Sequence, residues 1–115
     1  MKNLFVVIRV NPFTTIKNFE ALRMCVGMTT SDNSIKVVFI EDGVYAISSS
    51  SDTGVLNLPD ADKHISTLKE MDFDIIAEKE SLEERGIKDI KYDPLIKSRD
   101  EIADLITHGD IVINW

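Results

Sequence analysis

The sequence predicts an α/β fold: a three-layer α/β/α sandwich around a mostly parallel sheet of four or five strands. Three observations predict it. Leu4-Phe5-Val6-Val7-Ile8 and Ile35-Lys36-Val37-Val38-Phe39-Ile40 are short, largely β-branched apolar runs, the pattern of central parallel strands covered on both faces. Between them, Ile16, Phe19, Leu22 and Val26 recur at helical spacing, which makes a βαβ unit with a right-handed crossover. Strand-sized and helix-sized patterns then continue to alternate to residue 115. With 115 residues, residues 1–115 form one domain with one ordinary core.

The elements follow in order. Asn11-Pro12 ends the first strand, and Thr14 or Thr15 caps the first helix, which runs to about residue 30. Ser31 to Ser34 is a turn cluster before the second strand, and Glu41-Asp42-Gly43 closes that strand. Val44 to Ile47 begins a helix or a helical turn. The small polar run Ser48 to Gly54 reads as a surface loop. Asp60 or Asp62 starts a helix through Met71 with Ile65, Leu68 and Met71 inward, and Phe73 to Ala77 is a third strand. Ser81-Leu82-Glu83-Glu84 matches a capping box, and Arg85-Gly86 stops the short helix that it opens. Ile87 to Tyr92 is read as a short strand. Ser98-Arg99-Asp100-Glu101 is a second capping box, opening a helix with Ile102, Leu105 and Ile106 inward, and Asp110 to Trp115 is the last strand.

Charge and composition exclude several function classes. Thirteen basic residues against twenty acidic give 13 − 20 = −7, which repels phosphate backbones and anionic membranes, so neither nucleic acid nor membrane is expected as a partner. The imbalance lies in the second half: residues 1–50 carry 5 − 4 = +1, and residues 51–115 carry 8 − 16 = −8. No apolar run approaches the roughly 18 residues of a membrane span, and no signal peptide is expected, so the chain reads as cytoplasmic. One cysteine excludes an internal disulfide and a multi-cysteine zinc site, and His64 and His108 stand in no metal-ligand spacing. The first strand–helix turn has no glycine, which removes the Gly-rich phosphate loops, and no serine stands in a G-x-S-x-G elbow. No cofactor and no metal are therefore expected.

In an open parallel sheet, ligands bind beyond the carboxyl ends of the strands. Here that rim offers Arg9, Asn11, Glu41, Asp42, Glu78 and Lys79 as candidate site residues. Cys25 sits mid-helix, about 120° around the helix from Phe19, away from any helix N-terminus that would activate a thiol, and reads as a small buried hydrophobe. His64 and His108 lie near helix ends and read as surface residues.

Three segments, Ala21-Leu22-Arg23-Met24, Val37 to Tyr45 and Ile75 to Ile87, together with the closing Asp110 to Trp115, resemble the DsrE/DsrF/DsrH-like proteins of the sulfur-relay type. The resemblance spans nearly the whole chain. It implies cytoplasmic proteins that assemble as homotrimers or hexamers, often with related subunits, and that work with other sulfur-relay proteins. In active members a cysteine at the end of the third strand carries a persulfide. On that pattern the cysteine's position is 78, and this sequence has Glu78. A carboxylate cannot carry sulfane sulfur, which requires a thiolate. The family also contains members without the cysteine, which act as partners or scaffolds. The resemblance thus implies a non-catalytic oligomeric subunit. From the residues alone, a small-ligand binder or an enzyme using the polar rim is the alternative, as is sulfur carriage on an exposed Cys25.

Overall fold

The structure is a computed structural model and describes residues 2–9, 22–25, 27, 33–47, 62–71, 73–90 and 92–114. Five strands form one all-parallel sheet: β1 (Lys2–Ile8), β2 (Asn33–Phe39), β3 (Asp74–Glu78), β4 (Leu95–Lys97) and β5 (Ile111–Asn114). Their spatial order is β4-β3-β2-β1-β5. The chain therefore steps from β1 through β4 in one direction and then crosses back to place β5 on the other side of β1. Right-handed crossovers that run in opposite directions put their helices on opposite faces, and this is what the packing shows.

One face carries Leu4, Val6, Ile8, Ile35, Val37, Phe39, Ile75 and Ala77 from β1–β3. It is covered by Leu22 and Cys25 of helix α1 (residues 22–25 and 27 described), by Val44 and Ile47 of a 3-10 helix (Glu41–Ile47), by Ile65 and Leu68 of α2 (Asp62–Glu70), and by Leu82 of α3 (Lys79–Glu84). The other face carries Phe5, Val7, Val38 and Ile76, covered by Ile102 of α4 (Arg99–Thr107) with half-buried Leu105 and Ile106 beside it. Helices on both faces of a parallel sheet are the expected α/β sandwich. The apolar runs in β1 and β2 exist because each residue there meets a helix layer whichever way it faces.

Several local readings change. The helical turn begins at Glu41, three residues before Val44. Gly43 permits this early start: a Cβ there would stand 2.1 Å from the Ile8 carbonyl oxygen, so the turn passes over the end of β1 only with a glycine. Ile87 to Tyr92 is not the fourth strand. Ile90 makes an isolated bridge, and the strand is Leu95–Lys97, paired with β3 through Ile76–Leu95, Ala77–Ile96 and Glu78–Lys97. Tyr92 and Asp93 take left-handed backbone angles before Pro94, and these reset the chain direction ahead of the strand. The second capping box forms as read: the Ser98 hydroxyl accepts from the Glu101 N–H, and the Glu101 carboxylate accepts from the Ser98 N–H. The first does not, because α3 starts at Lys79 with Glu78 at its N-cap, which leaves Ser81 inside the first turn. The stop of α3 at Gly86 holds. Gly86 has φ +63, its N–H donates to the Glu83 carbonyl, and the Ile87 N–H donates to the Leu82 carbonyl, the Schellman pattern that satisfies a helix's last acceptors.

Candidate functional site

The carboxyl ends of β2, β3 and β4 meet the 3-10 helix, α3 and the start of α4. Three of the rim residues nominated by sequence, Glu41, Asp42 and Glu78, come together here. Glu78 is the last residue of β3, and it is buried. Its Oε1 accepts from the Ser81 hydroxyl at 2.6 Å and from the Arg99 guanidinium, Nε at 3.2 Å and Nη2 at 2.9 Å. Ser81, wholly buried, in turn accepts the Glu41 N–H at 2.8 Å. Glu41 has φ +51, a left-handed angle that is uncommon for a side-chain-bearing residue. The bond to Ser81 holds that turn in place, so one buried hydroxyl links the end of β2 to the end of β3.

The network continues as an alternating ion chain. Asp42 Oδ1 lies 3.0 Å from Arg85 Nη2, and Arg85 Nη1 lies 3.6 Å from Glu84 Oε2. Glu84 Oε1 lies 3.6 Å from Arg99 Nη2, which is 2.9 Å from Glu78 Oε1. The Glu80 carboxylate accepts the Arg99 backbone N–H through both oxygens, at 2.9 and 3.0 Å. That bond, more than the nearby cations, holds the Glu80 carboxyl below the ordinary carboxylate range. The hydrogen bond and charge of Glu78 raise the Arg99 pKa. Two guanidiniums against four carboxylates give 2 − 4 = −2 for the bonded groups of this network. Its polar groups are matched to one another, which suits a structural tie between β3, the 3-10 helix, α3 and α4 better than a free nucleophile or base.

The remaining nominated residues lie elsewhere. Lys79 turns outward, 3.9 Å from Glu83 and exposed, because residue 79 begins α3 and points away from the sheet. Glu78 is thus paired with Arg99, not with Arg9 or Lys79. Arg9 is exposed at the end of β1, and its Nη2 donates to Asn114 Oδ1 of β5 at 3.2 Å. β1 is two strands from β3, roughly 10 Å across the sheet. Asn11 lies outside the described residues, as do Thr14, Thr15 and the run Ser48 to Gly54.

Arg99, Arg85, Glu84 and Ser81 were not nominated from sequence as site residues. Ser81 and Arg99 both fell inside capping-box patterns, and that local role fully accounted for them. The available signal was positional: a helix that returns over the sheet from an edge strand must begin near the strands' carboxyl ends, so its first side chain can reach them.

Cys25 is wholly buried, and burial pushes its thiol up to about 12 against a smaller opposing backbone hydrogen bond. At neutral pH such a thiol stays protonated. His108 is exposed at the C-terminal end of α4, with Nδ1 2.8 Å from the Asp104 carbonyl oxygen, a helix-end role. Among the described residues no three His, Cys, Asp or Glu side chains converge as metal ligands, and no helix is long and apolar enough to cross a membrane.

The profile of the DsrE/DsrF-like family matches residues 2–115. Among solved structures, the chain is similar to the ychN protein from E. coli, with a TM-score of 0.87 and 18% identity over 100% of both chains. It is also similar to MTH1491, a protein of unknown function from Methanobacterium thermoautotrophicum, with a TM-score of 0.70 and 17% identity over 98% of this chain and 97% of that one. At these identities the likeness is one of fold. No curated protein matches the chain by sequence.

Proposed function

The chain belongs to the DsrE/DsrF-like family, and on that premise we propose that it is a non-catalytic oligomeric subunit, a partner or scaffold in intracellular sulfur transfer. One observation carries the reading. The position that the family pattern gives to the persulfide cysteine holds Glu78, a buried carboxylate tied to Arg99 and Ser81. The one thiol of the chain, Cys25, is buried and almost wholly protonated at neutral pH, so it offers neither access nor a thiolate. The family's chemical step has no residue to carry it, while the residue in its place ties four elements together.

The edges of the sheet support an oligomer. Leu95 and Ile96 on β4, and Ile111 and Val112 on β5, are 37–48% exposed. Apolar side chains on open strand edges are surface that an assembly would cover. Light scattering at micromolar concentration is expected to give a mass at a multiple of three chains, and a clean monomer removes the subunit reading. Mass spectrometry after exposure to a persulfide donor is expected to show no sulfur adduct on the native protein. The Glu78→Cys variant, with a thiol at the end of β3, is expected to react faster than Cys25 and to accept sulfur. A native adduct on Cys25 would sink the non-catalytic reading.

A second reading, a small-ligand-binding protein, is favoured by a different observation: Arg9 stands outside the ion chain and is held by a neutral carboxamide.

A further inference from the structure

We propose that the carboxyl ends of β1 and β5 form a binding site for a compact oxyanion, the carboxylate or phosphate group of a small molecule, with Arg9 and Asn114 as its ligands. This rests on the small-ligand reading and is independent of the subunit reading.

Topology selects the place. The strand order reverses at β1: β2, β3 and β4 lie to one side and β5 to the other. In open parallel sheets the ligand crevice lies beyond the carboxyl ends of the strands at such a reversal. The Glu78 network is not there. It lies across β2, β3 and β4, its polar groups are bonded to one another, and its net charge of 2 − 4 = −2 repels an anion.

The residues at the reversal have the opposite character. Arg85 and Arg99 each lie within 3.6 Å of two carboxylates. The partner that the described residues give Arg9 is the Asn114 carboxamide, which is neutral. Both side chains are exposed. Among the described residues one guanidinium N–H is used, in that bond, and the planar fork carries further donors suited to a two-oxygen anion. Because Asn114 accepts through Oδ1, its NH2 group is a further donor on the same side chain. A full charge with two kinds of N–H donor is a recognition set for carboxylate or phosphate oxygens. Size follows from electrostatics: the chain's net charge of −7 opposes an extended polyanion more than a single compact group.

The test is a two-dimensional NMR titration of the full chain with inorganic phosphate, and separately with acetate, at constant ionic strength. Saturable shifts are expected at the Asn114 side-chain amide and at Arg9 Nε. Arg9→Gln is expected to weaken binding at least tenfold. Asn114→Asp is the sharper variant: it is nearly isosteric, and it gives Arg9 an internal carboxylate. Its melting temperature is expected to stay at or above that of the native chain while phosphate binding is lost. Saturable shifts confined to Arg85 and Arg99 would overturn this location but keep the small-ligand reading. Shifts that do not saturate with either anion would overturn both, and full binding by Asn114→Asp would overturn the role given to Arg9.

Discussion

The two faces of the sheet are built to different standards. Among the described residues, one face forms a cluster of sixteen buried residues with α1, the 3-10 helix, α2 and α3, and the other forms a cluster of five with α4. A single helix is about 10 Å wide, while five strands span roughly 19 Å. α4 therefore covers the middle of its face, and the register partners of Ile76 and Phe5 on the edge strands, Leu95 and Val112, remain 48% and 37% exposed. The lightly covered face makes up the difference with polar ties. The N-terminal end of α4 is held by Arg99 to Glu78, by the Arg99 N–H to Glu80 and by the Ser98 capping box. Beyond its C-terminal end, the Asp110 carboxylate accepts the Asn3 N–H at 2.7 Å. Apolar burial dominates one layer, while the other adds hydrogen bonds at both ends of α4 to a smaller apolar cluster.

The largest test of this contrast is a pair of truncations. Phe39→Ala in the crowded layer is expected to cost about 4 kcal/mol, and Ile102→Ala in the thin layer about 2 kcal/mol, since the cost grows with the cavity left behind. Denaturant unfolding measures both, and equal costs would erase the distinction between the layers. Arg99→Ala comes next. It strips the buried Glu78 carboxylate of its half-exposed cation, and a buried charge left without its partner is costly. Its melting temperature is expected to fall further than that of Ser98→Ala, and adding Glu78→Gln is expected to recover part of the loss. No recovery would show that Arg99 acts through something other than Glu78.

Ser98→Ala is expected to cost about 1 kcal/mol, the usual value of an N-cap. The same helix end should be acid-sensitive. Glu80 and Glu101 are held below the ordinary value of 4.5, chiefly by the backbone N–H groups of Arg99 and Ser98 respectively. A carboxyl depressed in the folded state stabilises above its unfolded value, and that stability is lost as pH falls through the folded value. Below about pH 4.5, hydrogen-exchange protection corrected for intrinsic rate should therefore fade in α4 before it fades in β2. Simultaneous loss would mean that the two layers unfold as one unit.

Cys25→Ala is expected to cost about 1 kcal/mol at neutral pH, no more than the loss of the Ser98 cap. Its thiol is raised from 9.0 to about 12 by burial. The stabilisation is thus complete below pH 9 and is lost as pH rises toward 12, because the unfolded chain ionises first. The native protein should lose stability over that range by more than the variant does. Slow native labelling by a soluble thiol reagent, with fast labelling after denaturation, checks the same burial.

Reading along the chain suffices for the strands β1, β2, β3 and β5, for the helices α2, α3 and α4, and for the buried role of Cys25, the Ser98 cap and the Gly86 stop. Each depends on periodicity or on neighbours within a few residues, so the information is local. The sequence also carried the likeness to the DsrE/DsrF-like family. The place of the fourth strand is settled in the folded sheet, because the three residues Leu95–Lys97 are too short to show a period and are strand only by pairing with β3. The folded chain alone turned Ser81 from a cap into a buried link, since the choice depends on Glu41, forty residues earlier. It alone divided the polar rim into the tied end at Glu78 and the cation at Arg9, 105 residues from its partner Asn114. The composition of a rim can be read along the chain, but the pairing of its charges depends on distances that only the folded sheet creates.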